Sequence, residues 1–156
     1  MITMMRVDHR LIHGQVVLSW LTQYDSDAIL IASDTVPTDD FRKQTLKLAK
    51  PAATKLVIKT VDAAIAAITD GRTDGYRLFI LTENVADACR IAEACPQVAH
   101  INLGGTRPAT DTERLTATVS LTASERDRLD ALAARGIRVE ARAVPSDRPV
   151  VIEGAR

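Results

Sequence analysis

Short runs of apolar, mostly β-branched residues alternate along this chain with stretches whose apolar residues recur at helical spacing. That alternation constrains the fold more than any other feature. The runs are "ITMMRV" (2–7), "AILIAS" (28–33), "KLVIKT" (55–60), "RLFILT" (77–82), "VAHINL" (98–103), "LTATVSL" (115–121) and "IRVEARAV" (137–144). Between them, helical patterns are expected over 14–24, 39–50, 61–71, 84–95 and 123–135. Pro51 and Gly71 close the second and third of these, and Thr122 with Glu125 forms a capping-box signature before the last, which Gly136 stops. Near-continuous apolar strands belong to a sheet covered on both faces, and helices between them make its connections parallel. The expectation is one α/β domain over 1–156, with a mostly parallel sheet of about seven strands and helices on both faces. The closing stretch, "PSDRPVVIEGAR", is expected to pack on the body as a tail.

Aromatic residues make up only 3% of the chain, so aliphatic side chains must build the core. Twenty basic residues balance twenty acidic ones, which argues against a nucleic-acid partner. No stretch reaches the roughly 18–20 apolar residues of a membrane span, and "MITMMR" reaches charge too soon for a signal peptide. A cytoplasmic location is expected. Cys89 and Cys95, six apart in one helical segment, suit neither a zinc motif nor a disulfide framework. They are read as buried, reduced fillers.

In a parallel sheet, chemistry gathers at the carboxyl ends of the strands. There the first strand delivers "RVDHRLIHG", with two arginines, an aspartate and two histidines between Arg6 and His13. A plain solvated turn, with Asp8 as a helix cap, accounts for the charge but not for the His-Gly step at a helix start. A metal site on His9, His13 and Asp8 would place a cation beside Arg6 and Arg10, which repel it. His100 lies inside a predicted strand and reads as structural, so no metal and no cofactor is expected. A phosphoryl site uses more of the residues. A histidine at a helix N-terminus is kept neutral and nucleophilic, and exposed N–H groups there can hold a phosphoryl group. Gly14 lets backbone donors approach, Arg10 can offset charge with a forked pair of bonds, and Asp8 can fix an imidazole tautomer. A phosphohistidine intermediate is the chemistry these parts support. Leu11, Ile12 and the pair Gly104–Gly105 are expected to form an apolar surround facing a partner.

"RVDHRLIHGQV" resembles the active-site motif of the enzyme IIB subunits of the bacterial phosphoenolpyruvate-dependent sugar phosphotransferase system, mannose/fructose/sorbose family. Their pattern runs R-[IV]-D-[DH]-R-L-I-H-G-Q-V. The similarity continues through "INLGG" (101–105), "VSLTASERDRLDALAARGI" (119–137) and "VEARAVPSD" (139–147). The resemblance implies a largely parallel seven-stranded sheet. It implies that His13 is phosphorylated on Nδ1, with Asp8 and Arg10 as charged neighbours and Gly14 and Arg6 supporting the phosphate. It implies a IIA subunit as donor, and a sugar held by membrane IIC and IID subunits as acceptor. The protein would then sit on the inner face of the membrane through IIC and IID, and a homodimer is compatible with this reading. His9 stands where many relatives carry aspartate and is read as a tolerated variant. "LTENVADA" departs from the family's "NP"-type turn, so Glu83 and Asn84 are assigned no role. Two rival readings use the same His13: a phosphorylatable regulatory domain without a transport role, and a small-molecule binding module.

Overall fold

Alternate residues of a strand point to opposite faces of its sheet, and here both sets are apolar. The computed structural model describes residues 1–154. In β2 (Ala28–Ala32) and β4 (Leu78–Thr82) every residue is buried. Met4, Ile29, Ile31, Phe79 and Leu81 meet one layer of helices, while Met5, Val7, Leu30 and Ile80 meet the other. Two cores result, one on each side of the sheet.

The remaining main-sheet strands are β1 (Ile2–Asp8), β3 (Lys55–Lys59), β5 (His100–Gly105), β8 (Arg138–Ala141) and β9 (Val150–Ile152). Their order is β3-β2-β4-β1-β5-β8-β9, parallel except for the antiparallel β9. The helices are α1 (Val16–Gln23), α2 (Asp40–Ala49), α3 (Val61–Thr69), α4 (Val85–Ala94) and α5 (Ala123–Ala134). The chain steps from β1 to β2 to β3 in one direction, then back through β4 to β5 and β8. Right-handed crossovers therefore put α1 and α2 on one face and α3, α4 and α5 on the other. Trp20 and Leu46 fill the first layer, and Ile68, Ile91 and Leu129 the second.

The α/β architecture and the seven strands of the main sheet agree with the sequence reading, but the membership differs in two places. The alternating run 115–121 does not join the main sheet. Only Ser120–Leu121 (β7) pairs, with Glu113–Arg114 (β6), in a small separate hairpin. Its alternation reflects a loop with Val119 and Leu121 as buried anchors, not a sheet face. The seventh strand comes instead from the expected tail: β9 pairs with β8 through Val139↔Ile152 and Ala141↔Val150. Three residues are too short a run for an alternation signal. The capping box at Thr122 and Glu125 is present in both directions, at 3.1 and 2.9 Å.

β1 lies between β4 and β5, yet its loop turns to the opposite face from theirs. A crevice opens at such a reversal, at the carboxyl end of β1.

Candidate functional site

Asp8 ends β1 and is fully buried. The next residues turn sharply: the N–H of Leu11 donates to the Asp8 carbonyl at 2.9 Å, and Leu11 adopts φ +58°. A left-handed leucine costs energy and persists only where packing holds it. Leu11 and Ile12 are both buried in the α1 side of the core, which pins the loop and lifts His13 above it. Gly14, at φ +50°, completes the turn into α1. The helix begins at Val16, two residues later than expected, so His13 sits just ahead of it. Gln15 offers no side-chain cap, which leaves the first-turn amides without a side-chain acceptor.

The Asp8 carboxylate organises everything around it. Oδ1 accepts the Arg10 N–H at 3.0 Å and Arg10 Nε at 3.4 Å. Oδ2 accepts Arg6 Nη2 at 3.2 Å and lies 3.0 Å from His13 Nε2. Burial pushes the Asp8 carboxyl up, but the Arg10 amide, the Arg6 charge and His13 together outweigh it and hold it below the usual aspartate value. An ionised Asp8 can only accept. The bond to His13 therefore places the imidazole hydrogen on Nε2 and leaves the Nδ1 lone pair free. His13 is about a quarter exposed, so that nitrogen is within reach of a partner.

Arg6, expected to support the phosphate, stands one layer back, against Asp8. Its side chain is 1% exposed and lies behind Asp8. Nη1 donates to Asn102 Oδ1 and to the Arg142 carbonyl at 3.2 Å; Nη2 donates to the Ala143 carbonyl at 2.9 Å as well as to Asp8. Burial lowers its pKa, and Asp8 offsets part of that loss. Trp20 stacks beneath, with its ring centre 5.3 Å from the guanidinium of Arg6 and 5.1 Å from that of Arg142. Gly104 makes the space: a Cβ there would overlap the Arg6 guanidinium. The β1–β5 register shifts at this point, from Val7↔Leu103 to Asp8↔Gly105.

The apolar surround must also be corrected. Leu11, Ile12, Gly104 and Gly105 are all buried, so none of them faces a partner. Arg10 does: its side chain is half exposed, and its Nη groups make no hydrogen bond among the described residues. A groove of ≈ 460 Å³ beside it is lined by His9, Arg10, Thr106, Pro108, Arg114 and Thr118, among others. His9 is tied through its backbone N–H to the Gly105 carbonyl, with its buried Nδ1 unpaired and 3.9 Å from Asp8 Oδ1.

His100 lies away from this group. Its Nε2 is 2.8 Å from Glu140 Oε1, its ring meets Tyr24 edge-on, and burial lowers its pKa. Among the described residues no three His, Cys, Asp or Glu side chains cluster as a metal site would require. Both cysteines are buried, and burial pushes the Cys89 thiol up to about 11. The loop after β4 carries roles the sequence did not reveal. Glu83 accepts from Ser33 at 2.6 Å, Thr35 at 2.7 Å and Arg42 at 3.0 Å, clamping the ends of β2 and β4 to α2. Asn84 caps α4 through the Asp87 N–H at 2.8 Å. Asn102 was missed too, although an amide within the apolar run "INL" was a signal that something polar lies against it.

An ionised carboxylate thus holds a histidine, backed by a buried arginine, at the crevice of a doubly wound sheet. Residues 2–154 match the family model described as "PTS system sorbose subfamily IIB component", and the chain belongs to that family. It is 30% identical to the PTS system fructose-specific EIIB component of Bacillus subtilis, over 94% of this chain and 90% of that one. It is also 30% identical to the mannose-specific EIIAB component of Escherichia coli K12, covering 91% of this chain but only 44% of that longer protein. The crystal structure of the IIBSor domain of the Klebsiella pneumoniae sorbose permease superposes with a TM-score of 0.89, at 30% identity, over 97% and 93% of the two chains.

Proposed function

We propose that this chain is the phosphocarrier of a sugar uptake system. His13 accepts a phosphoryl group from a phosphorylated IIA protein and passes it to a sugar held by membrane IIC and IID subunits. The observation that carries this reading is the 3.0 Å contact from His13 Nε2 to buried Asp8, which leaves Nδ1 as the nucleophile. The Nδ1 lone pair attacks phosphorus while the N–P bond of the donor histidine breaks and that imidazole keeps the electron pair. In the second transfer a sugar hydroxyl attacks, the His13 N–P bond breaks and the hydroxyl proton departs to solvent or base. No metal is required if positioned donors meet the equatorial oxygens. Arg10 and the uncapped amides ahead of α1 are the donors available. Arg6 acts one layer back, holding Asp8 ionised and in place.

The IIA partner is supported by the joining of A and B components in the Escherichia coli relative. A histidine intermediate is favoured over a cysteine one, because Cys89 and Cys95 are buried on the α4 side and Cys89 has its thiol pKa raised to about 11. Relatives named for fructose and for mannose are equally similar at 30%, so the sugar is left to the membrane subunits.

The test is reconstitution with phosphoenolpyruvate, the general carrier proteins, the IIA partner and membranes holding IIC and IID. An acid-labile, base-stable mark should appear on the protein and sugar phosphate should follow, both lost in His13→Ala. Equal labelling of that variant removes His13 from the mechanism. Label without sugar phosphate would instead make the domain a regulator.

A further inference from the structure

Three buried side-chain nitrogens lack a hydrogen-bond partner among the described residues, and two of them are Arg6 Nε and Arg142 Nε. A buried N–H without an acceptor is costly, so a matched pair of them calls for a reason. Both guanidiniums lie over the same ring, that of Trp20, with their Cζ atoms 5.3 and 5.1 Å from its centre. The rest of each guanidinium is engaged by oxygen. Arg6 uses its Nη groups on Asp8, Asn102 and two carbonyls, and Arg142 uses its own on Glu140 and the Pro145 carbonyl. The indole face is what remains for the Nε side of each, as a weak acceptor and as a seat for positive charge.

The ring is itself held in a defined place. Trp20 is fully buried, and its Nε1 donates to the Ala143 carbonyl at 3.2 Å. That same carbonyl accepts Arg6 Nη2 at 2.9 Å, so the indole and the guanidinium share one anchor. Tyr24, one helical turn on, stacks on the indole with ring centres 5.9 Å apart and planes 19° apart. Trp20 stands on α1, the helix that begins just after His13. One rigid element therefore leads away from the nucleophile and reaches back beneath the Arg6–Asp8 pair that aims it. Packing alone would be met by leucine or methionine, as elsewhere in this layer; only an aromatic face also accepts cations.

We propose that Trp20 is a positioning residue of the phosphoryl site: its indole seats the Arg6 guanidinium, Arg6 holds Asp8, and Asp8 keeps the hydrogen of His13 on Nε2. The effect on transfer rests on the phosphocarrier reading; the effect on the His13 hydrogen bond does not.

The chain has one tryptophan, so growth on fluorinated tryptophan changes Trp20 alone. Fluorine withdraws charge from the ring face with little change of shape, and the mono-, di- and trifluoro analogues form a graded series. A desolvated cation–π contact corresponds to about 30-fold in an equilibrium. Only the part passed through Asp8 reaches His13. Single-turnover transfer from phosphorylated IIA at saturating donor should therefore fall stepwise, to about 3- to 10-fold below wild type with trifluorotryptophan. The donor concentration for half-saturation should stay the same, because the ring is buried and cannot touch the donor. In the unphosphorylated protein, exchange of the His13 Nε2 hydrogen with solvent, followed by NMR, should quicken along the same series. Trp20→Phe keeps a face and loses Nε1, so it should stay nearer to wild type in both readouts than Trp20→Leu. A flat rate and a flat exchange across the fluorinated series would overturn the proposal. So would a fall in thermal stability along the series with rate and exchange unmoved, which is what a purely packing role predicts. Wild type that takes no phosphoryl group at all would defeat the phosphocarrier reading, and the exchange series would then decide the proposal by itself.

Discussion

Replacing Asp8 by asparagine keeps the shape of the side chain and removes its charge, which separates two duties. The first is structural. Arg6 is buried beside Asp8, and removing one member of a buried pair costs about 3–5 kcal/mol when the other is left uncompensated. Arg6 keeps Asn102 and the carbonyls of Arg142 and Ala143, so the low end, about 3 kcal/mol, applies. In a chain of this size that lowers Tm by about 6–12 °C. The second duty is chemical. As the Nδ1–P bond forms, positive charge grows on the His13 ring, and the carboxylate at 3.0 Å from Nε2 stabilises it. A charge-assisted bond of this kind contributes about 1.5–3 kcal/mol, so phosphoryl acceptance should slow about 10- to 150-fold. The assay is single-turnover transfer from a phosphorylated donor at a temperature where the variant is fully folded, beside a thermal melt. Wild-type transfer by folded Asp8→Asn would refute the claim that Asp8 tunes His13. An unchanged Tm would refute the claim that Asp8 neutralises Arg6.

Gly104→Ala should push Arg6 off its seat and cost about 1–3 kcal/mol, read as a lowered Tm, while Gly136→Asn, at a helix end with φ +95° and open space, should cost less. His100 has its pKa lowered by burial, so the neutral ring is favoured in the fold; its contribution is complete above its ordinary value of 6.5 and fades as pH falls below that. His100→Gln should flatten stability against pH on the acid side of 6.5, measured by urea unfolding at stepped pH, leaving the loss at lower pH that comes from Asp8 and Glu140, whose carboxyls the fold holds below their ordinary values.

The elements could be read from the sequence where one rule governs many residues. "LFILT" and "AILIA" are buried throughout because both faces of the sheet are covered, and that requirement writes an unbroken apolar run. The capping box before α5 is local, and local chemistry survives folding. What escaped were contacts between residues far apart in the chain. Val150–Ile152 completes the sheet only because β8 offers it an edge, and nothing within three residues announces a partner eleven positions upstream. His13, Asp8 and Arg10 were legible because their spacing is short and their chemistry complementary. The surroundings of Arg6 were hidden for the opposite reason. Its partners Asn102, Arg142 and Ala143 lie 96 to 137 residues away, so the sequence shows its charge and hides its burial.

That burial resolves an awkwardness in any site meant to hold phosphate beside a carboxylate. A bare Asp8 would repel an arriving dianion, and a bare cluster of arginines would bind it too well for a carrier that must release it. With Arg6 spent on Asp8 from behind, the ion pair is close to neutral towards the crevice, and Arg10, held to Asp8 only through Nε, presents its half-exposed guanidinium in front. Under the proposed relay, the phosphoryl group on His13 then meets one half-exposed arginine and backbone amides, which stabilise the loose transition state without trapping the product. Arg10→Ala should therefore slow transfer in and transfer out together, by about 30- to 1000-fold if it supplies a full charge-assisted bond at the transition state. Arg10→Lys, a point charge without the fork, should recover only part of that. A variant that slowed acceptance but left donation to sugar untouched would show that Arg10 recognises the donor protein instead of the phosphoryl group.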